Sequence, residues 1–215
     1  MIDLKQIDRV RVASFLVLLF YSVGLAGFLL VQTQVLFEKL VPFHLLLMLL
    51  LMVWSHPRRE RRFYLSLLVI YLAGFAVEAI GVNSGVVFGR YSYDTTLGPK
   101  VAGTPLMIGV NWILVIYSTS ITICSVGIRN SYIGAVTGGV LVTLLDFFIE
   151  PVAIRFHYWH WDSPTVPLQN YIAWFFVAFV LLLFFLRMPV EKHNKAGVAL
   201  FVVQFLFFVI LWASI

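Results

Sequence analysis

Seven apolar runs, several of them close to 20 residues long, dominate this chain of 215 residues. A helix rises about 1.5 Å per residue, so about 20 apolar residues cross the roughly 30 Å hydrocarbon core of a bilayer. The runs predict spans at 12–31, 40–54, 63–82, 105–126, 131–150, 168–186 and 197–214, the second being the shortest. Hydrophobic residues make up 61% of the chain and charged residues only 12%. The expected fold class is therefore all-α: a polytopic integral membrane helix bundle of about seven transmembrane helices, forming a single membrane domain over 1–215.

The start, MIDLKQIDRV, is polar and the first apolar run has full spanning length, which argues against a cleavable signal peptide. A single cysteine, Cys124, excludes an intrachain disulfide. The pI near 9.5 would suggest nucleic acid for a soluble protein. Here it fits basic loops beside anionic lipid headgroups, so membrane lipids and not nucleic acid are the expected partners. Charge asymmetry sets the expected orientation. Lys5, Arg9, Arg11, Arg58, Arg59, Arg61, Arg62, Arg129, Arg187, Lys192 and Lys195 fall on one side, against Lys39, Arg90, Lys100 and Arg155 on the other. The excess places the N-terminus in the cytoplasm and the C-terminus outside, in a multi-pass protein of the cell membrane.

Three of only ten acidic residues lie in apolar surroundings: Glu78 in FAVEAIGV, and Asp146 and Glu150 in LLDFFIEP. A charged Asp at the bilayer centre costs about 2.5 to 3.5 kcal/mol even on lenient scales. Such groups face a cavity or a partner inside the bundle, or they hold a proton. Asp146 and Glu150, four apart, share one helix face. All three sit toward the ends of their spans on the outer side, close in depth.

The loops that follow these acids, 83–104 and 151–167, exceed the length at which connections are usually functional. Their aromatics suit an interfacial belt and also a lid. Both lead from an acid-tipped span to Pro-Leu and then Asn-aromatic: Pro105, Leu106, Asn111, Trp112, and Pro167, Leu168, Asn170, Tyr171. A parallel duplication would set two half-sites around one cavity. Gly81, Gly85 and Gly89 form a helix-packing or bent-loop signal, not a phosphate cradle.

No Walker loop, dinucleotide fingerprint or nucleophile elbow occurs. His157 and His160 are close together, but a His-x-x-His among tryptophans reads better as interfacial than as a metal site, so no metal is expected. What remains is acid chemistry in a greasy, aromatic pocket. A buried carboxyl can protonate an alkene, and aromatic faces stabilise the resulting tertiary cation. Trp112, Tyr158, Trp159, Trp161 and Trp174 lie at a depth to supply such faces, and a second carboxylate can activate the water that captures the cation. No cofactor is required.

The strings EAIGVNSGVVFGRYSY, LGPKVAGTPLMIGVNW, LLDFFIEPVA, HYWHW and VPLQNYIAWF, in that order across about residues 72–180, resemble the CruF-type carotenoid biosynthesis proteins of bacteria and archaea. These are carotenoid hydratases, which add water to the terminal double bond of an acyclic end group. The resemblance implies a hydro-lyase acting on a lipophilic carotenoid, with other enzymes of carotenoid synthesis as partners. Catalysis would rest on Asp146, Glu150 and Glu78, with Asp146, one turn deeper than Glu150, the first choice of acid. Asn111, Trp112, Tyr158, Trp159, Trp161, Asn170, Tyr171 and Trp174 would bind substrate. The alternatives are a membrane-integral lycopene cyclase, which starts from the same protonation, and a non-catalytic proton-coupled transporter.

Overall fold

The computed structural model describes residues 4–215, with side chains from Gln6 onward, so the side chain of Lys5 lies outside the described residues. Seven helices carry the chain: α1 (Leu4–Leu29), α2 (Gln34–Ser55), α3 (Arg61–Ser84), α4 (Met107–Ser125), α5 (Ser131–Arg155), α6 (Leu168–Arg187) and α7 (Lys195–Ser214). All seven are long and apolar enough to cross a membrane. Their outer faces are apolar, with Phe15, Leu50 and Phe176 more than half exposed. Lipid is the solvent that makes such a surface stable, and helices suit it because every backbone bond closes within the segment. The second span, the shortest by hydropathy, is a full helix of 22 residues that absorbs Pro42.

α4 forms the axis of the bundle. From Ile108 to Ile123 every residue of it is buried except Asn111 and Thr122. α3 and α6 flank it along its length, at Trp112 and again at Tyr117, α5 pairs along α6, and α1 pairs along α7. Helix starts are marked by side-chain caps. Asn130 accepts from the backbone N–H groups of Tyr132 and Ile133 at the head of α5, and Asn194 accepts from that of Ala196 at the head of α7.

Asn194 also ties together the other end of the bundle. Its amide donates to Ser55 Oγ (3.0 Å) and Tyr117 Oη (2.9 Å), and Tyr117 meets His56 Nδ1 at 2.9 Å. His56 lies just past α2 and stacks on Phe63 at 3.8 Å between centroids. Burial, with the nearby charges of Arg59 and Lys192, lowers this imidazole to about 4, so it is a neutral partner at neutral pH.

The end of the fifth span and the character of the two loops differ from the sequence expectation. The fifth span does not end at Glu150 but runs through Pro151 to Arg155. A proline inside a membrane helix removes one backbone donor without ending the helix, because its neighbours re-satisfy the freed carbonyl. The loop after α5 is therefore shorter than 151–167. Neither loop is irregular throughout. β1 (Tyr91–Tyr93) in the first pairs antiparallel with β4 (Trp159–Trp161) in the second, and β2 (Lys100–Val101) forms a small hairpin with β3 (Thr104–Pro105).

Seven crossings put the 56–60 and 188–194 connections on one side and the β-bearing loops on the other. In a Cys124→Ser background, single cysteines at Arg59 and Lys192 should react with an impermeant maleimide from one face only, and a cysteine at Lys100 from the opposite face. Labelling of all three from one face would exclude this arrangement.

Candidate active site

Two three-residue strands cap the bundle, and their alternation decides what lies beneath them. In Tyr91-Ser92-Tyr93 and Trp159-His160-Trp161 every second side chain points the same way. The register pairs Tyr91 with Trp161, Ser92 with His160 and Tyr93 with Trp159. Further backbone bonds extend the ladder at both ends, from Asp94 N–H to Tyr158 O (2.9 Å) and from Asp162 N–H to Arg90 O (3.0 Å). Ser92 Oγ and His160 Nε2 meet at 2.8 Å on the exposed face. The four aromatics face the bundle.

The chain reaches β1 through turns that only glycine makes without strain. Gly85 ends α3 at φ 67° and Gly89 follows at φ 107°, where a Cβ would also press on Pro167 at 3.0 Å. The bent-loop reading of the glycine run thus describes its second and third members.

Each strand holds one glutamate. Glu78 Oε2 accepts from Tyr91 Oη at 2.5 Å and Tyr93 Oη at 2.8 Å, and Oε1 accepts from Trp112 Nε1 at 3.2 Å. Glu150 Oε2 accepts from Trp159 Nε1 at 2.9 Å and Trp161 Nε1 at 2.8 Å, and Oε1 accepts from Asn170 Nδ2 at 3.2 Å. The two halves correspond: a helix supplies the acid, the strand after it two donors, and the next helix a third. Both carboxyl groups are almost fully buried. Tyr91 and Tyr93 lie outside the spans. Burial, then the Glu78 charge, pushes both phenols far above the usual range, so both remain donors at physiological pH.

Between the two glutamates lies a cavity of about 30 Å³, lined also by Ile108, Asn111, Asn170 and Trp174. A water needs about 10 to 15 Å³ on this measure, so there is room for roughly two. No lysine, arginine or histidine lines it. His157 and His160 are exposed on the far side of the strands, and His160 turns to Asp94 at 3.3 Å. Among the described residues no cluster of three metal-ligating side chains occurs.

The expected site residues separate into three groups. Glu78, Glu150, Asn111, Asn170, Trp159, Trp161 and Trp174 line the cavity. Trp112 and Asp146 stand directly behind it. Trp112 stacks on Trp174 at 4.5 Å between centroids. Asp146 is fully buried one turn below Glu150, and Asn170 Nδ2 donates to its Oδ2 at 2.8 Å while bridging to Glu150. Among the described residues Asp146 Oδ1 has no hydrogen-bond partner. The remaining two lie elsewhere. Tyr158 lines a separate apolar cavity, and Tyr171, half-exposed, packs near Phe147 and lines neither.

Tyr91, Tyr93 and Phe88 belong to the site and were not expected there. The alternation of Tyr-Ser-Tyr and of Trp-His-Trp is visible in each string, but not the pairing that sets them over the glutamates. Tyr91→Phe keeps the ring and Trp161→Phe keeps an aromatic face, and each deletes one donor to a buried carboxyl. Each should lower stability by about 1 to 3 kcal/mol, read as an earlier midpoint in thermal unfolding of the detergent-purified protein, while Tyr132→Phe at an exposed site should change nothing.

The model of the family described as carotenoid biosynthesis protein matches residues 39–215, a wider stretch than the five motif strings. The chain is also similar to the bisanhydrobacterioruberin hydratase of Haloarcula japonica, at 28% identity over 136 residues. That match takes in 60% of this chain and 46% of the relative, so the chain spans about half the length of the curated protein it matches. No solved structure matches. With most of its length matched, from α2 to the end of α7, the chain belongs to the carotenoid biosynthesis protein family.

Proposed function

We propose that this protein is a carotenoid hydratase, a hydro-lyase that adds water to the terminal double bond of an acyclic carotenoid end group. The observation that carries this reading is the pair of buried glutamates facing each other across a water-sized cavity walled by indoles and phenols. The family match supports a carotenoid as substrate, and the named relative supports hydration.

The chemistry follows from the donors. A carboxyl gives its proton to the less substituted alkene carbon, and the π bond becomes a C–H bond and a tertiary cation. Indole and phenol faces stabilise that cation through their quadrupoles. Water attacks the cationic carbon to form the C–O bond and returns its extra proton to a carboxylate, restoring the acid. No electrons are exchanged, so the reaction calls for no redox cofactor.

Roles can be divided by hydrogen bonding. Two carboxyl groups, Asp146 and Glu150, share the amide of Asn170 with no cation beside them, an arrangement suited to one proton held between them. Glu150, which reaches the cavity, delivers it, and Asp146 serves as the buried store. Glu78 shares none of its three donors with another carboxyl group, and we assign it to orienting the water. The same first step followed by capture by an internal alkene would make a cyclase. Proton-coupled transporters place broken helices at the bilayer midplane, whereas α3 and α5 are continuous here.

The charge asymmetry of the connecting segments supports a cytoplasmic N-terminus, and with it a site at the outer leaflet of the cell membrane. Membrane lipids and other enzymes of carotenoid synthesis are the natural partners for a substrate that never leaves the bilayer.

Glu150→Gln, Glu78→Gln and Asp146→Asn retain shape and lose the titrating proton. Hydration should fall by about 10² to 10⁴ in the two glutamate variants, and measurably in Asp146→Asn, with membrane accumulation unchanged. Product analysis from a lycopene-accumulating host checks this, and full activity in all three variants would remove the site.

Turnover in heavy-oxygen water, without oxygen gas and with chelator present, should put the label into the new hydroxyl. Turnover in deuterated water should add one carbon-bound deuterium on the neighbouring carbon. A hydroxyl oxygen drawn from molecular oxygen, or a ring without a hydroxyl, would sink the hydratase reading.

A further inference from the structure

A second, much larger cavity lies in the same half of the bundle as the acids. Its volume is about 310 Å³, at the lower end of the range for small-molecule sites. The walls come from α1, α2 and α7, and they are apolar almost throughout. Phe20 and Val23 of α1 and Leu40 and Phe43 of α2 line it and are also exposed on the lipid-facing surface. The cavity therefore opens sideways into the bilayer between α1 and α2. A dry apolar cavity of about 150 Å³ takes a benzene-sized hydrocarbon. Twice that volume accommodates about two C5 units.

The inner wall of this cavity is continuous with the acid site. Asn111 lines both cavities, and the adjacent residues Tyr158 and Trp159 line one each. The Asn111 side chain is the only polar interruption of the buried face of α4 between Ile108 and Trp112, and it makes no hydrogen bond among the described residues. A free amide between an apolar channel and a water-sized polar pocket is placed to yield to an incoming alkene and to hold water when the alkene is absent.

We propose that this cavity seats the hydrocarbon arm of the polyene, and that its end group passes Asn111 to reach Glu78 and Glu150. The proposal rests on the hydratase reading for what happens at the acids. It explains why the acid cavity is only water-sized: the arm is held next door, and only the last carbons need to displace water. It also gives work to α1, which lies outside the stretch matched by the family model.

Gly24 supplies the test. A Cβ added there would meet only Phe207 Cε2 at 3.7 Å, an ordinary contact, so a larger side chain starts without a clash beside another residue of the cavity wall. The probe is lycopene, retained by the full-length chain carrying Glu150→Gln to block turnover, purified from a lycopene-accumulating host. Adding Gly24→Leu should reduce lycopene retained per mole of protein at least tenfold. In the active background the same change should raise KM at least tenfold and alter kcat less than twofold. Val41→Phe narrows the cavity from α2 and should act alike, and it decides the matter if Gly24→Leu fails to accumulate.

Unchanged retention and KM in variants that melt like the parent would overturn the proposal. So would loss of co-purifying phospholipid with lycopene retention intact, which would assign the cavity to a lipid tail. Should the unmodified chain retain lycopene in a Gly24-dependent way yet yield no hydroxylated product, the seat stands and the hydratase reading fails.

Discussion

Two carboxyl groups kept out of water by neutral hydrogen-bond donors are the constraint around which the structure is built. An unpaired ion at this depth costs several kcal/mol, and no lysine, arginine or histidine lines the cavity between them. The compensation comes from four donors on the strand pair and one each from Trp112 and Asn170. A hydrogen bond to a charged group is worth about 1.5 to 3 kcal/mol, so the three donors around either carboxyl group are of a size to offset its burial whenever it is ionised. Strand pairing, the glycine turns before β1 and the stacking of Trp112 on Trp174 all bring those donors to bear on two carboxyl groups.

Sequence made the spans legible, because hydrocarbon thickness leaves a helix little freedom in length. It also made the acids legible, since charge in an apolar run stands out against its surroundings. The link between β1 and β4 was hidden. Each strand is three residues long and follows a different helix, and nothing local in Tyr-Ser-Tyr states that its partner lies near residue 160. Tyr91 and Tyr93 were missed for that reason, as was the strand character of the two loops. Pro151 misled in another way: in water it would end a helix, but within the bundle α5 continues to Arg155. The apolar cavity could not be read at all, since residues such as Gly24 and Val41 carry no signal distinct from ordinary lipid-facing positions. The Asn-aromatic correspondence after each loop was a better guide, and Asn111 and Asn170 do meet at one cavity.

The correspondence between the halves stops at the chemistry of the donors. Phenols hold Glu78, and a phenol both gives and receives a hydrogen bond. Indoles hold Glu150, and an indole only gives. Protons can therefore be passed along on the Glu78 side but not through the indoles that cover Glu150, whose remaining polar neighbour is Asn170 and, beyond it, Asp146. A repeated scaffold thus surrounds its two glutamates with unlike donors.

The pairing of β1 with β4 also sets an order in time. Ser92 and His160 are 68 positions apart, and α4 and α5 both lie between them. During synthesis Glu78 enters the membrane long before Trp159 and Trp161 exist, and contacts between distant segments form late. The first loop must wait, with its tyrosines in reach of Glu78 but without the strand that completes the lid, until two more helices have been inserted and turned back. A chain whose α4 or α5 fails to cross cannot bring its two halves together, and Glu78 is then left without the strand opposite its tyrosines.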